Sequence, residues 1–366
     1  MRNLKLGFIG LGLIGGSIAK AAKKSNPDNI IIAYNRSEKS RILAYNDKVA
    51  DIVTNKVDEI FHDCDYIFLC TPVEHNISYL RILKDIISEN TIITDVGSVK
   101  GNIHQAVKEL GMEKNFIGGH PMAGSEKTGY ENASSSLLEN AYYAITPTEK
   151  VHTKRVDELY EFVKSTGAIP VIVDFSKHDY AVAGISHVPH LIASSLVNLV
   201  RDNDTDDELM KLLAAGGFKD ITRIASSSPE MWEQICSTNT ENIINLLEKY
   251  VDSLNSVIEI LSENKFKDIN DMFVKSRDYR NSFSSKAHGP IREIYTLYCD
   301  IVDESGAILK IAGILAANEI SIKNIGIVNN REFENGVLRI EFYDKCVRDE
   351  AANFLVSNNY TIYIND

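Results

Sequence analysis

The sequence predicts an α/β protein in three consecutive parts: a parallel, doubly wound sheet, an all-helical segment and a β-α-β-β-α-β module. Three observations carry this prediction. From residue 1 to about 175, short runs rich in Ile, Val and Phe alternate with helical stretches, the pattern of strands covered on both faces by crossover helices. Beyond Asp174 the apolar spacing becomes helical and strand signals fade. From residue 294 strand-like and helix-like segments alternate again. The expected domains are 1–175, 176–285 and 294–366.

In the first part, strands are expected at Lys5–Ile9, Ile30–Tyr34, Tyr66–Leu69, Thr91–Asp95 and Asn115–Ile117, with helices at Ile14–Lys23, Asn76–Ile87 and Ile103–Leu110 between them. Further strands are expected at Tyr142–Thr146 and Val171–Val173, around a helix at Val151–Ser165. In the helical part, Ser228-Pro229-Glu230 reads as a helix start, with serine as cap and proline in the first turn. Thr240–Ser262 carries an apolar stripe of Ile243, Ile244, Leu247, Tyr250, Val251, Leu254, Val257 and Leu261. Such a stripe suits a core shared with a second subunit or an internal core helix. Asn281–Ser285 and His288-Gly289-Pro290 read as a linker by composition. The last part should run strand Tyr295–Val302, turn Asp303–Gly306, helix Ile308–Asn318, strands Ile325–Asn329 and Gly336–Tyr343, helix Arg348–Asn358 and strand Thr361–Ile364.

At 366 residues the chain has room for two or three domains, and its 44% apolar content is that of a globular protein. The formal charge of −12 leaves no basic surplus for nucleic-acid phosphates. Five cysteines, an odd number without a Cys-x-x-Cys pair, argue against a disulfide framework or zinc site and fit a reducing cytosol. No signal sequence is expected at the N-terminus, and no apolar run of membrane-spanning length is evident. A cytoplasmic protein is the expectation.

Gly10-Leu11-Gly12-Leu13-Ile14-Gly15 follows the first strand and opens the first helix. Glycines there let backbone amides approach a pyrophosphate at the positive helix end, so a Rossmann-type dinucleotide-binding domain is favoured over a merely tight turn. The second strand should end in an acid that takes the ribose hydroxyls of NAD. It ends instead in Tyr34-Asn35-Arg36-Ser37. A cation without an acid leans toward the 2′-phosphate of NADP, unless Arg36 stacks on the adenine or is merely solvated.

Ligands of open α/β sheets bind outside the carboxyl ends of the strands. Asp95-Val96-Gly97-Ser98-Val99-Lys100-Gly101 follows one such end, so Ser98 is either a substrate contact or a helix cap. The stretch Gly118-Gly119-His120-Pro121-Met122-Ala123-Gly124-Ser125-Glu126 follows another. There His120 is expected in a loop held by glycines and proline, as an acid or base or as a structural histidine. Ser186-His187-Val188-Pro189-His190 puts two histidines on one helical face. No third ligand joins them, so polar contacts are expected rather than metal. Gly216–Arg223 opens a helix after glycines and presents Arg223, whose guanidinium suits a carboxylate or a surface ion pair. Trp232 suits a core or a pocket wall.

Taken together and in this order, these motifs resemble the prephenate and arogenate dehydrogenase (TyrA) family of tyrosine biosynthesis. The matching residues are Gly10-x-Gly12-x-x-Gly15-Gly16-Ser17, Asp95-x-x-Ser98-x-Lys100-Gly101, Gly119-His120-Pro121-x-Ala123-Gly124-x-Glu126, Ser186-His187-x-Pro189-His190 and Gly217-Phe218-Lys219-Asp220-x-Thr222-Arg223, then Met231-Trp232. The resemblance covers about residues 4–285. It implies that His120 removes the proton from the substrate's ring hydroxyl, that Ser98 hydrogen-bonds that hydroxyl and the histidine, and that Arg223 binds a substrate carboxylate. Glu126, His187, His190, Gly217, Lys219 and Trp232 would line or order the pocket. NAD or NADP would lie along Gly10, Gly12, Leu13, Ile14, Gly15, Asn35, Arg36, Ser37, Thr71 and Pro72. Prephenate is the favoured substrate, with arogenate the alternative, and a homodimer through the helical domain is implied. Residues 294–366, with Asp303-Glu304-Ser305-Gly306-Ala307 and Asn324-Ile325, look like an ACT regulatory domain. Feedback by tyrosine would then act at Asp303, Gly306, Ala307, Asn324 and Ile325.

Overall fold

The computed structural model describes residues 2–125, 127–285, 295–302, 304–328 and 336–364. They form two compact units, Met1–Phe266 and Lys267–Asp366. In the first unit, β1 (Lys5–Ile9), α1 (Leu13–Ser25), β2 (Ile30–Tyr34), α2 (Glu38–Asn46), β3 (Ile52–Thr54), β4 (Tyr66–Leu69), α3 (Val73–Leu83), β5 (Ile92–Asp95) and α4 (Gly101–Leu110) follow in order. The five strands form one all-parallel sheet, β3-β2-β1-β4-β5. Side chains alternate between its faces. Leu6, Phe8, Ile31 and Phe68 point into one core, and Ile9, Ile32, Ile67 and Ile93 into the other. Phe8 stacks on Phe68 at 5.0 Å.

The sequence reading omitted α2 and β3. Only Ser40 and Ala44 of α2 are buried, so its apolar stripe is thin, although Ser37 caps it by accepting from Ser40 N at 3.3 Å. Three residues make β3, too few to show a period, and pairing with β2 defines it.

A second, mixed sheet follows: β6 (Ile117–Pro121), β7 (Tyr142–Pro147) and β8 (Ile169–Ile172), with α5 (Thr153–Ser165) between the last two. Strands β6 and β7 are antiparallel, and β7 and β8 parallel. This corrects two expectations. The doubly wound sheet does not extend through β6; among the described residues the ladder link toward β5 is an isolated Ile93–Phe116 bridge just before β6. His120 also lies inside β6, paired with Ala144, rather than in a loop after a strand at Asn115–Ile117. The glycines serve close approach. A Cβ on Gly119 would sit 2.6 Å from the carbonyl oxygen of Asp95 and 2.8 Å from the Tyr143 hydroxyl. Pro121 ends the strand, where a missing amide hydrogen is tolerated.

The helical part contains α6 (Phe175–Val182), a π turn (Ala183–His187), α7 (Val188–Asn203), α8 (Leu209–Leu213), α9 (Gly216–Thr222), α10 (Pro229–Thr238) and α11 (Thr240–Ser262). Phe175–Asn203 is one helical run of 29 residues, long and apolar enough by composition to cross a membrane. The sequence reading saw no segment of that length, because polar residues interrupt it. His178, Asp179 and His187 within the run are buried and hydrogen-bonded inside the fold, as in a core helix.

The core of the helical part is small: Ala183, Val188 and Ile243 are its buried members. Along α11, Ile244, Val251, Leu254, Ile258 and Leu261 remain exposed, Ile258 by 61%.

The second unit begins with α12 (Phe266–Ser285). Asn281–Ser285, expected as linker, is helical here, and polar composition alone misled. His288-Gly289-Pro290 lies outside the described residues. Next come β9 (Tyr295–Ile301), α13 (Ala307–Ala317), β10 (Asn324–Val328), β11 (Gly336–Phe342), α14 (Lys345–Ser357) and β12 (Ile362–Tyr363). The strands form an antiparallel sheet, β10-β11-β9-β12, with Leu297, Leu338 and Ile340 packed on Ile311 and Leu355 of the helices. This is the expected β-α-β-β-α-β order.

Candidate active site

Two cavities open beside the carboxyl ends of β1, β2, β4 and β5. The first, of about 230 Å³, is lined by Gly10, Gly12, Asn35, Arg36, Ser37, Thr71 and Pro72 among others. Gly10 has φ +100°, a conformation that suits glycine, and a Cβ on Gly15 would run into the Gly10 carbonyl oxygen and lie 2.8 Å from Cys70 Cβ. A Cβ on Gly12 would meet nothing within 4 Å. The first and third glycines of the motif therefore serve packing, and the second keeps the cavity open at the N-terminus of α1. These residues fit a dinucleotide with its pyrophosphate at that helix end. Leu13 and Ile14 open α1, while Leu11 lines the cavity.

At the rim, Asn35 Nδ2 donates to Leu11 O at 3.0 Å. The Arg41 guanidinium donates to the carbonyl oxygens of Asn35 and Arg36. No carboxylate lines this cavity among the described residues, and Arg36 does.

The second cavity, of about 310 Å³, is lined by Thr71, Pro72, Gly97 and Ser98 on the sheet side and by Met231 and Gln234 of α10 on the other. Thr71 and Pro72 face both cavities, so the two spaces adjoin. Ser98 sits in the β5–α4 loop. The hydrogen bond expected between Ser98 and His120 is not among those the described residues make.

His120 bonds elsewhere. Its Nδ1 lies 2.9 Å from His178 Nε2, and His178 Nδ1 lies 2.8 Å from Asp179 Oδ1. Asp179 also accepts from Lys100 N at 2.9 Å and from Gly101 N at 2.7 Å, which ties α6 to the first turn of α4. The fully buried Lys100 ammonium pairs with Asp95 and donates to Gly119 O at 2.7 Å. Burial, followed by the Lys100 ammonium, holds the His120 imidazolium well below its usual range, so the ring is neutral near pH 7.

His178, Asp179 and Lys100 received no individual role from the sequence. Lys100 falls inside a quoted motif, but no glycine or proline flanks His178-Asp179, and helical periodicity does not link them to His120.

His187 and His190 both meet Trp232. His190 stacks on it with ring centroids 3.9 Å apart, and His187 meets it edge-on at 5.9 Å. His190 Nδ1 donates to Ser186 O at 2.8 Å. Asn239, which the sequence reading also missed, donates through Nδ2 to Asp179 O at 2.8 Å and to His187 Nδ1 at 3.1 Å. Burial pulls His187 down to about 4. The Trp232 indole N–H is buried and has no hydrogen-bond partner among the described residues.

Gly217 and Lys219 lie in α9, and Arg223 starts the single 3₁₀ turn after it. Glu126 lies outside the described residues. So does Asp303 in the second unit, where Gly306 (φ +86°) caps α13, Ala307 begins it, and Asn324 and Ile325 begin β10. There a cavity of about 220 Å³ is lined by Glu304, Gly306, Ala307, Ile308 and Leu309 but not by Asn324 or Ile325.

The glycine geometry yields a paired prediction. Gly12→Ala should leave the thermal midpoint unchanged and weaken dinucleotide binding at least about tenfold, a loss of ~1.4 kcal/mol. Gly15→Ala should cost about 1–3 kcal/mol of stability through overpacking. Calorimetric melting and dinucleotide titration check both, and an equal loss of stability in the two variants would contradict the division of labour.

Family models for the prephenate dehydrogenase nucleotide-binding domain and the prephenate dehydrogenase dimerization domain match residues 18–172 and 174–275. A prephenate dehydrogenase of Bacillus subtilis is 38% identical over 344 residues, 93% of each chain. One of Lactococcus lactis is 33% identical, over 92% of this chain and 93% of its own. Among solved structures, prephenate dehydrogenase from Aquifex aeolicus in complex with hydroxyphenyl propionate and NAD+ superposes with a TM-score of 0.72 at 31% identity, covering 77% of this chain and 99% of that one. An arogenate dehydrogenase of Synechocystis gives a TM-score of 0.70 at 28% identity, covering 76% and 100%. The chain belongs to the prephenate dehydrogenase family of oxidoreductases.

Proposed function

We propose that the chain oxidises prephenate to 4-hydroxyphenylpyruvate and carbon dioxide, with His120 as the base that takes the ring hydroxyl proton. The observation that carries this reading is a buried, neutral imidazole at the carboxyl end of a strand beside the sheet whose glycine-rich turn fits a dinucleotide. A dinucleotide held along Gly10, Gly12 and Arg36 would supply the acceptor for the hydride on the carbon that bears the hydroxyl. As that carbon becomes a carbonyl, its hydroxyl must lose a proton, and a neutral histidine contributes about 10²–10⁴-fold to such a step. Loss of carbon dioxide then restores an aromatic ring and makes the reaction irreversible. Ser98, on the wall of the adjoining cavity, is read as the residue that orients the hydroxyl, and Arg223 as the partner of a substrate carboxylate.

Reduced-dinucleotide absorbance should rise with prephenate and much less with arogenate. His120→Asn should keep dinucleotide binding and lose at least about 10²-fold in kcat. A large preference for arogenate, or near-normal turnover by the variant, would overturn the reading.

For the cofactor, we read Asn35-Arg36-Ser37 as selecting NADP. Among the described residues, no acid that would hold ribose hydroxyls lines the cavity, and Arg36 can pair with a 2′-phosphate. Titration should give tighter binding of NADP than of NAD, and Arg36→Ala should erase at least about tenfold of that preference. Stronger binding of NAD by the unaltered protein would reverse the assignment.

Two further properties belong to this reading. The exposed stripe of α11 supports assembly into a dimer through the helical part. The cavity beside Gly306 supports an effector site for tyrosine in an ACT-type domain. Sedimentation should give two chains per particle, and removing the residues after about 290 should leave turnover but abolish inhibition by tyrosine. A monomer, or unchanged inhibition, would remove the corresponding property.

A further inference from the structure

We infer that His178 and Asp179 are positioning residues, a relay that fixes His120 as its Nδ1–H tautomer and leaves Nε2 as the proton acceptor. The inference rests on the reading of His120 as the base, and it follows from which atoms can donate. Backbone amides only donate, so the contacts of Lys100 N and Gly101 N make Asp179 an acceptor through both oxygens. Asp179 Oδ1 therefore also accepts from His178, which places a proton on His178 Nδ1 at 2.8 Å. Neutral His178 then presents a lone pair at Nε2. His120 Nδ1, 2.9 Å away, must supply the hydrogen of that contact. His120 Nε2 is left without a proton. The tautomers are assigned from this network; a doubly protonated His178 is the competing assignment, and it would leave the proton on His120 Nε2 instead.

The relay answers a difficulty of the site. His120 is buried, with the Lys100 ammonium, His178 on α6 and His187 in the π turn around it, while the Asp95 carboxylate is engaged by Lys100. Burial and the Lys100 ammonium oppose a positive ring, so His120 is held neutral but is left a weak base. A cationic His178 would add to that opposition. As the neutral acceptor that Asp179 makes of it, His178 does the reverse. When the substrate O–H bond breaks and an N–H bond forms at His120 Nε2, the new imidazolium donates through Nδ1 to His178, whose own Nδ1–H points at a carboxylate. The hydride leaving the same substrate carbon goes to the oxidised dinucleotide, so the step balances.

The tautomers can be read in the intact protein, without substrate, by long-range proton–nitrogen correlation of labelled histidines. His120 should show a protonated Nδ1 and a bare Nε2, and a protonated Nε2 would overturn the inference whatever the substrate proves to be. Variants test the consequence. His178→Leu should lower kcat about 10- to 1000-fold, with KM and dinucleotide affinity within about threefold of the unaltered protein. His178→Gln, whose amide can accept from His120 and donate to Asp179, should recover to within about fivefold. An equal loss in the Leu and Gln variants, or an unimpaired Leu variant, would show that His178 only fills space. If neither variant folds, the tautomer measurement decides alone. A protein that shows the tautomers but does not oxidise prephenate would refute the proposed reaction and leave the relay geometry standing.

Discussion

The buried ammonium of Lys100 is the constraint on which the site depends. It joins Asp95 at the end of β5 to the carbonyl of Gly119 in β6, while its own amide is held by Asp179 of α6. Three segments far apart in sequence are fixed at one point. The connection matters because ladder pairing is sparse there, with an isolated Ile93–Phe116 bridge between β5 and the residue before β6. Removing one partner of a buried ion pair typically costs about 3–5 kcal/mol, since the other charge stays behind unpaired. Burial, with the same charge beside it, keeps the imidazole of His120 neutral. One group thus positions the proposed base and, together with burial, sets its protonation state.

Around this point the fold separates its tasks. Glycines at the β1–α1 turn shape one cavity, and the β5–α4 loop with α10 shapes the next. Thr71 and Pro72 border both, so groups bound in the two spaces would be neighbours. That arrangement suits a reaction whose main demand is alignment of a hydride donor and acceptor. The helical part supplies Asp179, His178, His187 and Asn239, and has little core of its own.

Much of this was legible in the sequence where the signal is local. Strands β1, β2 and β4 emerged at their observed limits because compact apolar runs bounded by turn residues have few other solutions. The glycine motif was legible because its spacing encodes a turn. His120 stood out for its flanking glycines and proline, yet their meaning was misread. They mark a strand pressed against Asp95 and Tyr143, not a loop. The relay was not legible. His178 and Asp179 are ordinary polar residues on a helix, and only the packing of α6 over the first turn of α4 brings them to His120. The helix through Asn281–Ser285 escaped for the opposite reason: its serines and asparagine resemble a linker.

The central claim is that His120 Nε2 meets the reacting hydroxyl. A crystal structure with the oxidised dinucleotide and a hydroxyphenyl acid resembling the product tests it most directly. The account predicts His120 Nε2 within about 2.6–3.2 Å of the phenolic oxygen, the range in which a base can take a proton. A phenolic oxygen held by other groups, with His120 Nε2 beyond reach of it, would contradict the claim.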